Sequence, residues 1–208
     1  MRKPINHPGG LISAPPDYLQ NCSSGAWRLV DSFHMDSRDF GLRQLEYETH
    51  SGKPCPNCTP TALVNALGHY RARFPAIPDD PHACYALLRA HMRLVQTGVP
   101  TLGGYPFLLE PVLARRLWRL LGVDAWPALY PLPDARTLRR QSERGAPLVL
   151  SLWSQAYRSH TVLLLGWELW TDGRAPRLFW CIRDGWAGGL RYLDADACLI
   201  LQALRLAR

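Results

Sequence analysis

The chain has 208 residues, of which 47% are apolar and 20% are charged, which is the balance of a globular protein and excludes a disordered chain. Its length suits one domain, and the lack of internal repeats excludes a solenoid. The net charge of +7 comes from arginines that are scattered rather than clustered, so nucleic-acid binding is not expected.

The cysteines and the N-terminus indicate the compartment. Six cysteines lie at irregular spacings, which is not the pattern of a disulfide scaffold. Residues 1–10 have no apolar core after their basic residues, so no secretory signal is expected, and no run approaches the ~20 apolar residues of a membrane span. We therefore expect a cytoplasmic protein with no membrane partner; leaderless secretion as an effector is the alternative.

The first segments of the chain predict little regular structure. Residues 1–25 are rich in proline and glycine, which predicts an irregular arm. Residues 26–47 alternate apolar and polar side chains, which predicts one or two short strands. A single domain is expected over residues 26–208, with a helical half over about 55–125 and a sheet half over about 146–208.

Two thiols, Cys55 and Cys58, stand just before a predicted helix. Apolar residues at helical spacing predict this helix over residues 59–73 with one buried face, and Thr59 and Pro60 fit its N-cap and first position. The free N–H groups and the positive dipole end of a helix N-terminus favour a thiolate, which lowers the pKa of a thiol there. Cys58 is therefore the candidate nucleophile.

Three more helices are predicted along the chain. Their ranges are 79–95, 105–121 and, for a short charged helix on the surface, 134–144. The middle one has a broad apolar face formed by Leu108, Leu109, Val112, Leu113, Leu117 and Leu120.

Strand patterns dominate the last third of the sequence. Apolar runs predict strands over 148–153, 161–170 and 177–183, with a hairpin turn at 171–173 between the last two. Residues 190–193 and the tail after Ala197 supply further strand or a closing helix. Helices first and antiparallel strands second predict an α+β fold.

Three segments carry a resemblance to a known family. The segment Asn57-Cys58-Thr59-Pro60-Thr61-Ala62 resembles the nucleophile segment of bacterial papain-like cysteine peptidases related to the bacteriocin-processing type, whose usual pattern is Cys-Gly-Pro-[Ser/Thr/Ala]-Ala. Thr59 departs from this pattern, because the family usually has glycine there. Residues 159–167, Ser-His-Thr-Val-Leu-Leu-Leu-Gly-Trp, are similar to the segment that supplies the general base, and Asp184-Gly185-Trp186 is similar to the step with the orienting aspartate.

The resemblance implies a papain-like fold and a catalytic triad. An N-terminal helical half would carry the nucleophile helix and pack on a C-terminal antiparallel sheet. His160, just before a strand, would take the thiol proton of Cys58, and the carboxylate of Asp184 would hold the imidazole in the correct tautomer. Counting back from the hairpin turn places His160 and Asp184 side by side. The implied activity is hydrolysis of a peptide, protein or amide through a thioester, with no cofactor and no metal.

The oxyanion hole and the cleft are less defined. The papain family usually has a glutamine six residues before the nucleophile, but Gly52 occupies that position here. Gln44 is the nearest glutamine, so it is the candidate for the oxyanion-hole side chain, beside the backbone N–H of Cys58. Trp153 and Trp186 flank the predicted site residues and are candidates to line a substrate cleft.

Several alternatives stay open at the level of sequence. Acyltransferases and glutamine deamidases of the same structural family share the triad. The pair Cys55 and Cys58 also forms a C-x-x-C, which suits half of a zinc site or a redox dithiol. A non-catalytic interaction domain with this fold, with structural or zinc-binding cysteines, is the competing class.

Overall fold

The computed structural model describes residues 10–36, 38–44, 57–92 and 109–207, and these form an α+β fold, as the order of the predicted elements indicates. The helices are α1 (Pro15–Cys22), α2 (Cys58–Gly68), α3 (Pro81–Met92), α4 (Glu110–Leu120) and α5 (Ala135–Ser142). The strands are β1 (Arg28–His34), β2 (Ala128–Pro131), β3 (Leu148–Ser154), β4 (Arg158–Thr171), β5 (Pro176–Arg183), β6 (Arg191–Asp194) and β7 (Cys198–Arg205).

All seven strands belong to one antiparallel sheet organised around β4. The strand order is β2-β7-β3-β4-β5-β6, and β1 pairs with the second half of β4. On the side of β4 away from β5, β3 pairs with the first half of the 14-residue strand and β1 with the rest. Thus β4 is the element that holds the sheet together.

The alternation of side chains along β4 serves two hydrophobic cores. Leu163 and Leu165 pack with α2 and α4 in one core, whereas Val162 and Leu164 pack in the other. In the second core α5 contributes Leu138. Because both faces of β4 are covered, its apolar run is continuous rather than alternating.

Helix α2 differs from its predicted form because it is buried all round rather than on one face. Its first residue is Cys58 and its N-cap is Asn57, so the prediction of Thr59 as the N-cap was wrong. Pro60 occupies the third helical position. Proline is tolerated there because the first N–H groups of a helix have no partner inside the helix.

Helix α4 buries a face shifted from the predicted one. Val112 and Leu120 are exposed, while Glu110 shares the buried stripe with Leu113 and Leu117. The buried set follows the spacing i, i+3, i+4, i+7 and i+8 from Glu110 and ends at Trp118, whose indole N–H donates to the carbonyl of Leu206 at 2.6 Å. The docking of α4 is thus fixed by an aromatic anchor and a buried acid.

Other elements also differ from the sequence predictions. Residues 15–22 of the arm form α1, which places Leu19 in a small core with Phe179. The helix expected on the surface, α5, buries Leu138, and the chain tail forms β7. The hairpin turn is where it was predicted, with Gly173 at a φ of 87°.

Strand β1 lies so close to β4 that Gly166 has no room for a side chain. A Cβ atom at this position would overlap the carbonyl oxygen of Phe33. We expect Gly166→Ala to lower the free energy of unfolding by about 1–3 kcal/mol, because the added methyl forces the two strands apart. Urea denaturation is the measurement. Gly188→Ala is the matched control, since a Cβ there meets no atom within 4 Å, and equal losses in both variants would contradict the packing argument.

No helix in the described part of the chain is both long and apolar enough to cross a membrane. Some predicted features lie outside the described residues: Cys55, Gly52, Leu108 and the last residues of the helix predicted over 79–95.

Candidate active site

Cys58 lies where three parts of the chain meet. It is the first residue of α2, and the side-chain amide of the preceding Asn57 donates to the carbonyl of Gln44 at 3.0 Å. The Cys58 side chain is only 4% exposed. It borders a narrow crevice that has no room for a water molecule in this structure and whose lining also includes Thr61, Ala62, Asn65, Thr161, Arg183, Asp184 and Gly185.

The thiol of Cys58 is held in its neutral form by its surroundings. Burial raises the pKa of Cys58, and hydrogen bonds from the backbone and side chain of Thr161 and the side chain of Thr59 oppose the rise. The sequence predicts a lowered pKa at a helix N-terminus. The pKa is raised instead, because desolvation destabilises the buried thiolate by more than the helix N-terminus and the hydroxyl groups stabilise it.

His160 lies within β4, two residues after its start, rather than before the strand as predicted. Its ring stacks on Tyr157, with centroids 5.3 Å apart, and against Trp186 at 4.5 Å. Its Nε2 atom is 2.8 Å from the backbone carbonyl oxygen of Asp184. The structure therefore brings His160 and Asp184 together, as the hairpin count predicts.

The contact with Asp184 determines the tautomer of His160. A carbonyl oxygen only accepts hydrogen bonds, so Nε2 must carry the proton, and the lone pair of the neutral ring is on Nδ1. Burial lowers the pKa of His160, while the carbonyl and the charge of Asp184 oppose this. The ring is thus neutral at pH 7 and has a free acceptor nitrogen.

The carboxylate of Asp184 does not orient the ring directly. One oxygen accepts from the hydroxyl of Tyr157 at 3.1 Å, and the other accepts from the backbone N–H groups of Trp186 and Ala187 at 2.9 and 3.1 Å. These bonds close a turn in which Gly185 has a φ of 76°. The carboxylate fixes the turn, and the turn places the carbonyl that holds His160.

Gln44 belongs to the same cluster, but its side chain is already engaged. Its amide nitrogen donates to the carbonyl of Asp184 at 3.3 Å, and its amide oxygen accepts from the indole of Trp186 at 3.1 Å. The backbone N–H of Gln44 donates to the carbonyl of Gly185 at 2.8 Å. In this arrangement Gln44 supports the turn that begins at Asp184, and its side-chain amide is not free to point at Cys58.

The two tryptophans predicted to line a cleft have different positions. Trp186 covers the ring of His160 and is part of the site. Trp153 is 55% exposed on β3, and its cross-strand partner is Ser159. Among the described residues, no ring contact joins Trp153 to His160 or Trp186.

Cys58 and His160 reach the site from different sides of β4. Helix α2 packs on the face of β4 that carries Thr161. Successive side chains of a strand point to opposite faces, so His160 lies on the other face, where it stacks on Tyr157. No hydrogen bond joins the thiol to the ring in the described part of the chain. Of the three residues predicted to form a triad, His160 therefore contacts Asp184, and Cys58 shares only the lining of the crevice with Asp184.

The sequence prediction missed Tyr157 and Glu110. Tyr157 lies in the short turn before His160, outside any helical or strand pattern, so nothing in the sequence assigned it a role. Glu110 lies on the apolar stripe of α4, and an acid at a core position of an amphipathic helix was the available clue. Thr161 follows the histidine directly and its hydroxyl contacts both Thr59 and Glu110.

The metal alternative finds no site in what the structure describes. No group of three or more His, Cys, Asp or Glu side chains among the described residues is arranged to hold a metal ion. Cys55, the second thiol of the C-x-x-C, is outside those residues.

Comparison with known proteins adds no family to this description: no protein-family model matches the chain, and no curated protein matches it.

Proposed function

We propose that this protein is a papain-like thiol hydrolase that cleaves an amide bond with Cys58 as the nucleophile. The observation that carries the proposal is the hydrogen bond between His160 Nε2 and the carbonyl of Asp184, beside the crevice that Cys58 faces. It leaves a neutral imidazole with its lone pair on Nδ1, which is the state that a general base requires. The resemblance of the three sequence segments to the papain-like family supports the same assignment.

The proposed reaction begins with proton transfer. The S–H bond of Cys58 breaks as its proton moves to Nδ1 of His160, and the sulfur forms a bond to the substrate carbonyl carbon. The proposed reaction requires the ring and the thiol, which lie on different sides of β4, to come into contact when substrate binds; catalytic hydrogen bonds often form only in the substrate complex. The backbone N–H of Cys58 at the start of α2 stabilises the oxyanion.

The second half of the reaction returns the proton. The imidazolium of His160 protonates the leaving nitrogen as the C–N bond breaks, which leaves a thioester on Cys58. Water then gives a proton to His160 while its oxygen attacks the thioester carbon. Cleavage of the C–S bond releases the acid, and the sulfur regains its proton from the ring.

Asp184 acts on this reaction mainly through the turn that its carboxylate closes. Two substitutions of Asp184 should therefore have different effects. Asp184→Asn keeps an oxygen that accepts from Trp186 and Ala187, so the turn and its carbonyl stay in place and we expect turnover to fall by less than about tenfold. Asp184→Ala opens the turn and displaces the carbonyl, and we expect a loss of at least about a hundredfold. Hydrolysis rates on one identified peptide substrate give the comparison. Equal losses would mean that the carboxylate charge, not the turn, is what matters.

A non-catalytic binding module is the second candidate, and one observation favours it. The thiol is nearly buried, and in the described residues the neighbours that act on its pKa include Thr161 and Thr59 but no imidazole. In that case Cys58 would be a structural residue of the core, and the papain-like arrangement would serve as a scaffold.

Incubation with a peptide library separates the two candidates. The wild-type protein and Cys58→Ala are incubated with the library, with and without an amine acceptor, and products are identified by mass spectrometry. New termini made only by the wild-type protein support hydrolysis, and amine adducts would identify an acyltransferase. A mass gain of 1 Da on glutamine would identify a deamidase. Identical product spectra for both proteins, with zinc in the purified protein, would establish the binding module.

A further inference from the structure

Glu110 is a buried acid that the proposed reaction does not use. Its side chain is 0% exposed, between α2, β3, β4 and β7. One carboxyl oxygen accepts from the hydroxyls of Ser151, Thr161 and Thr59, at 2.6, 3.1 and 3.3 Å. The other accepts from the amide of Gln202 at 2.6 Å. Four neutral donors converge on this one group.

Among the described residues, no cation forms an ion pair with Glu110. None of the ion pairs between described residues includes it, and its hydrogen-bonding partners are all neutral. Burial raises the pKa of Glu110 to about 7, although the bonds from Ser151, Gln202, Thr161 and Thr59 oppose the rise. The carboxyl group therefore changes its charge near neutral pH.

The same hydroxyls connect Glu110 to Cys58. Thr161 lines the same crevice as the thiol, Thr59 directly follows Cys58 in α2, and both oppose the rise in the pKa of Cys58. The two hydroxyls lie 2.9 Å from each other, and each donates to Glu110. A hydroxyl has one proton to donate. When Glu110 is ionised, the hydroxyl protons are directed to its oxygen and are not available to a thiolate, and the charge of Glu110 itself opposes a second negative charge on the sulfur.

We propose that Glu110 and Cys58 form one coupled ionisable pair, in which the Glu110 carboxylate holds Cys58 in its thiol form through the hydroxyls of Thr59 and Thr161. Glu110 is thus a positioning residue that limits the reactivity of the nucleophile. The inference rests on the proposed function only for the use of the thiolate. The coupling itself is a property of the buried pair.

The direction of the pH effect follows from the charges. Below about pH 7 Glu110 is protonated and does not oppose the thiolate; above it, each gain in thiolate is offset by the charge on Glu110. In the part of the chain that the structure describes, the other charged groups that line the crevice with the thiol are Arg183 and Asp184, and Arg183 also pairs with Asp39. From β3, β4 and β7 the groups that face Glu110 are neutral.

The test is the rate of alkylation of Cys58 by iodoacetamide between pH 5 and pH 10, read by mass spectrometry of the peptide that contains it. For wild type the rate should level off above about pH 7, whereas for Glu110→Gln it should keep rising. We expect equal rates at pH 6 and about tenfold faster alkylation of Glu110→Gln at pH 8, since the ratio grows as Glu110 ionises. Loosened packing would expose the thiol and raise the rate at pH 6 as well, so equal rates at pH 6 distinguish the coupling from a packing defect.

Two further variants sharpen the comparison. Ser151→Ala removes a donor from Glu110 without contacting the thiol, which raises the pKa of Glu110 further, so its plateau should begin at higher pH than in wild type. Glu143→Gln changes the net charge equally at an exposed position and should match wild type. If Glu110→Gln does not fold, the displaced plateau of Ser151→Ala decides the question.

Profiles of Glu110→Gln and Ser151→Ala that superimpose on wild type would overturn the coupling, whatever the peptide library yields. Conversely, a library without products leads to rejection of the hydrolase and leaves a displaced alkylation profile as support for the coupled pair. The two proposals therefore fail separately.

Discussion

Cys58→Ala is expected to abolish hydrolysis of every peptide that the wild-type protein cleaves, whereas Cys55→Ala keeps most of the activity. Cys58 is the first residue of α2 and opens onto the crevice with Thr161 and Asp184, and no other group there can form the thioester. Initial rates on one peptide identified by mass spectrometry measure both variants.

A matched control for this prediction is Cys84→Ala, which removes a buried thiol in the helical core. It should reduce stability but leave the rate per folded molecule unchanged. Equal loss of activity in Cys55→Ala and Cys58→Ala would indicate a disulfide or a shared metal ion, and the assignment of the nucleophile would be abandoned.

His160→Ala is expected to lower turnover by at least about a hundredfold, the lower end of what a positioned general acid–base contributes. The ring is neutral, its tautomer is determined by the carbonyl of Asp184, and Trp186 covers it. The substrate affinity should change much less than turnover. Steady-state kinetics on the identified peptide separate the two quantities.

His82→Ala is the control for His160→Ala, because His82 is exposed at the start of α3. It should have wild-type kinetics. A loss of less than threefold in His160→Ala, with the protein still folded, would mean that another group takes the thiol proton.

The order of elements was predictable because it depends on local patterns. Apolar runs at residues 148–153 and 161–170 are strands in the structure, and the turn at Asp172 and Gly173 needs a positive φ that glycine accepts readily. The burial of α2 on all sides was not predictable from periodicity. The apolar residues at helical spacing, Ala62 and Ala66 among them, account for one face, but Asn65 is buried too because its side chain bonds the backbone of Leu42.

The sequence predicted which residues of the site lie close together. It did not predict which of their atoms form the contacts. The hairpin count brought His160 next to Asp184, but whether a carbonyl or a carboxylate faces the ring depends on one turn and on a tyrosine loop. The role of Glu110 depends on donors from four separate elements. Contacts between residues far apart in sequence leave no local pattern to read.

The complete burial of α2 bears on the motions of the protein. Backbone amides exchange with solvent only when their hydrogen bonds open, and a helix enclosed between the sheet and α3 can open only if the surrounding core opens too. Deuterium should therefore enter residues 62–68 about as slowly as global unfolding permits, and far more slowly than the exposed strand β1. Cys58, the proposed nucleophile, is attached to this helix, so the proposed reaction requires movements of the chain around the crevice, and not of the helix, to admit substrate.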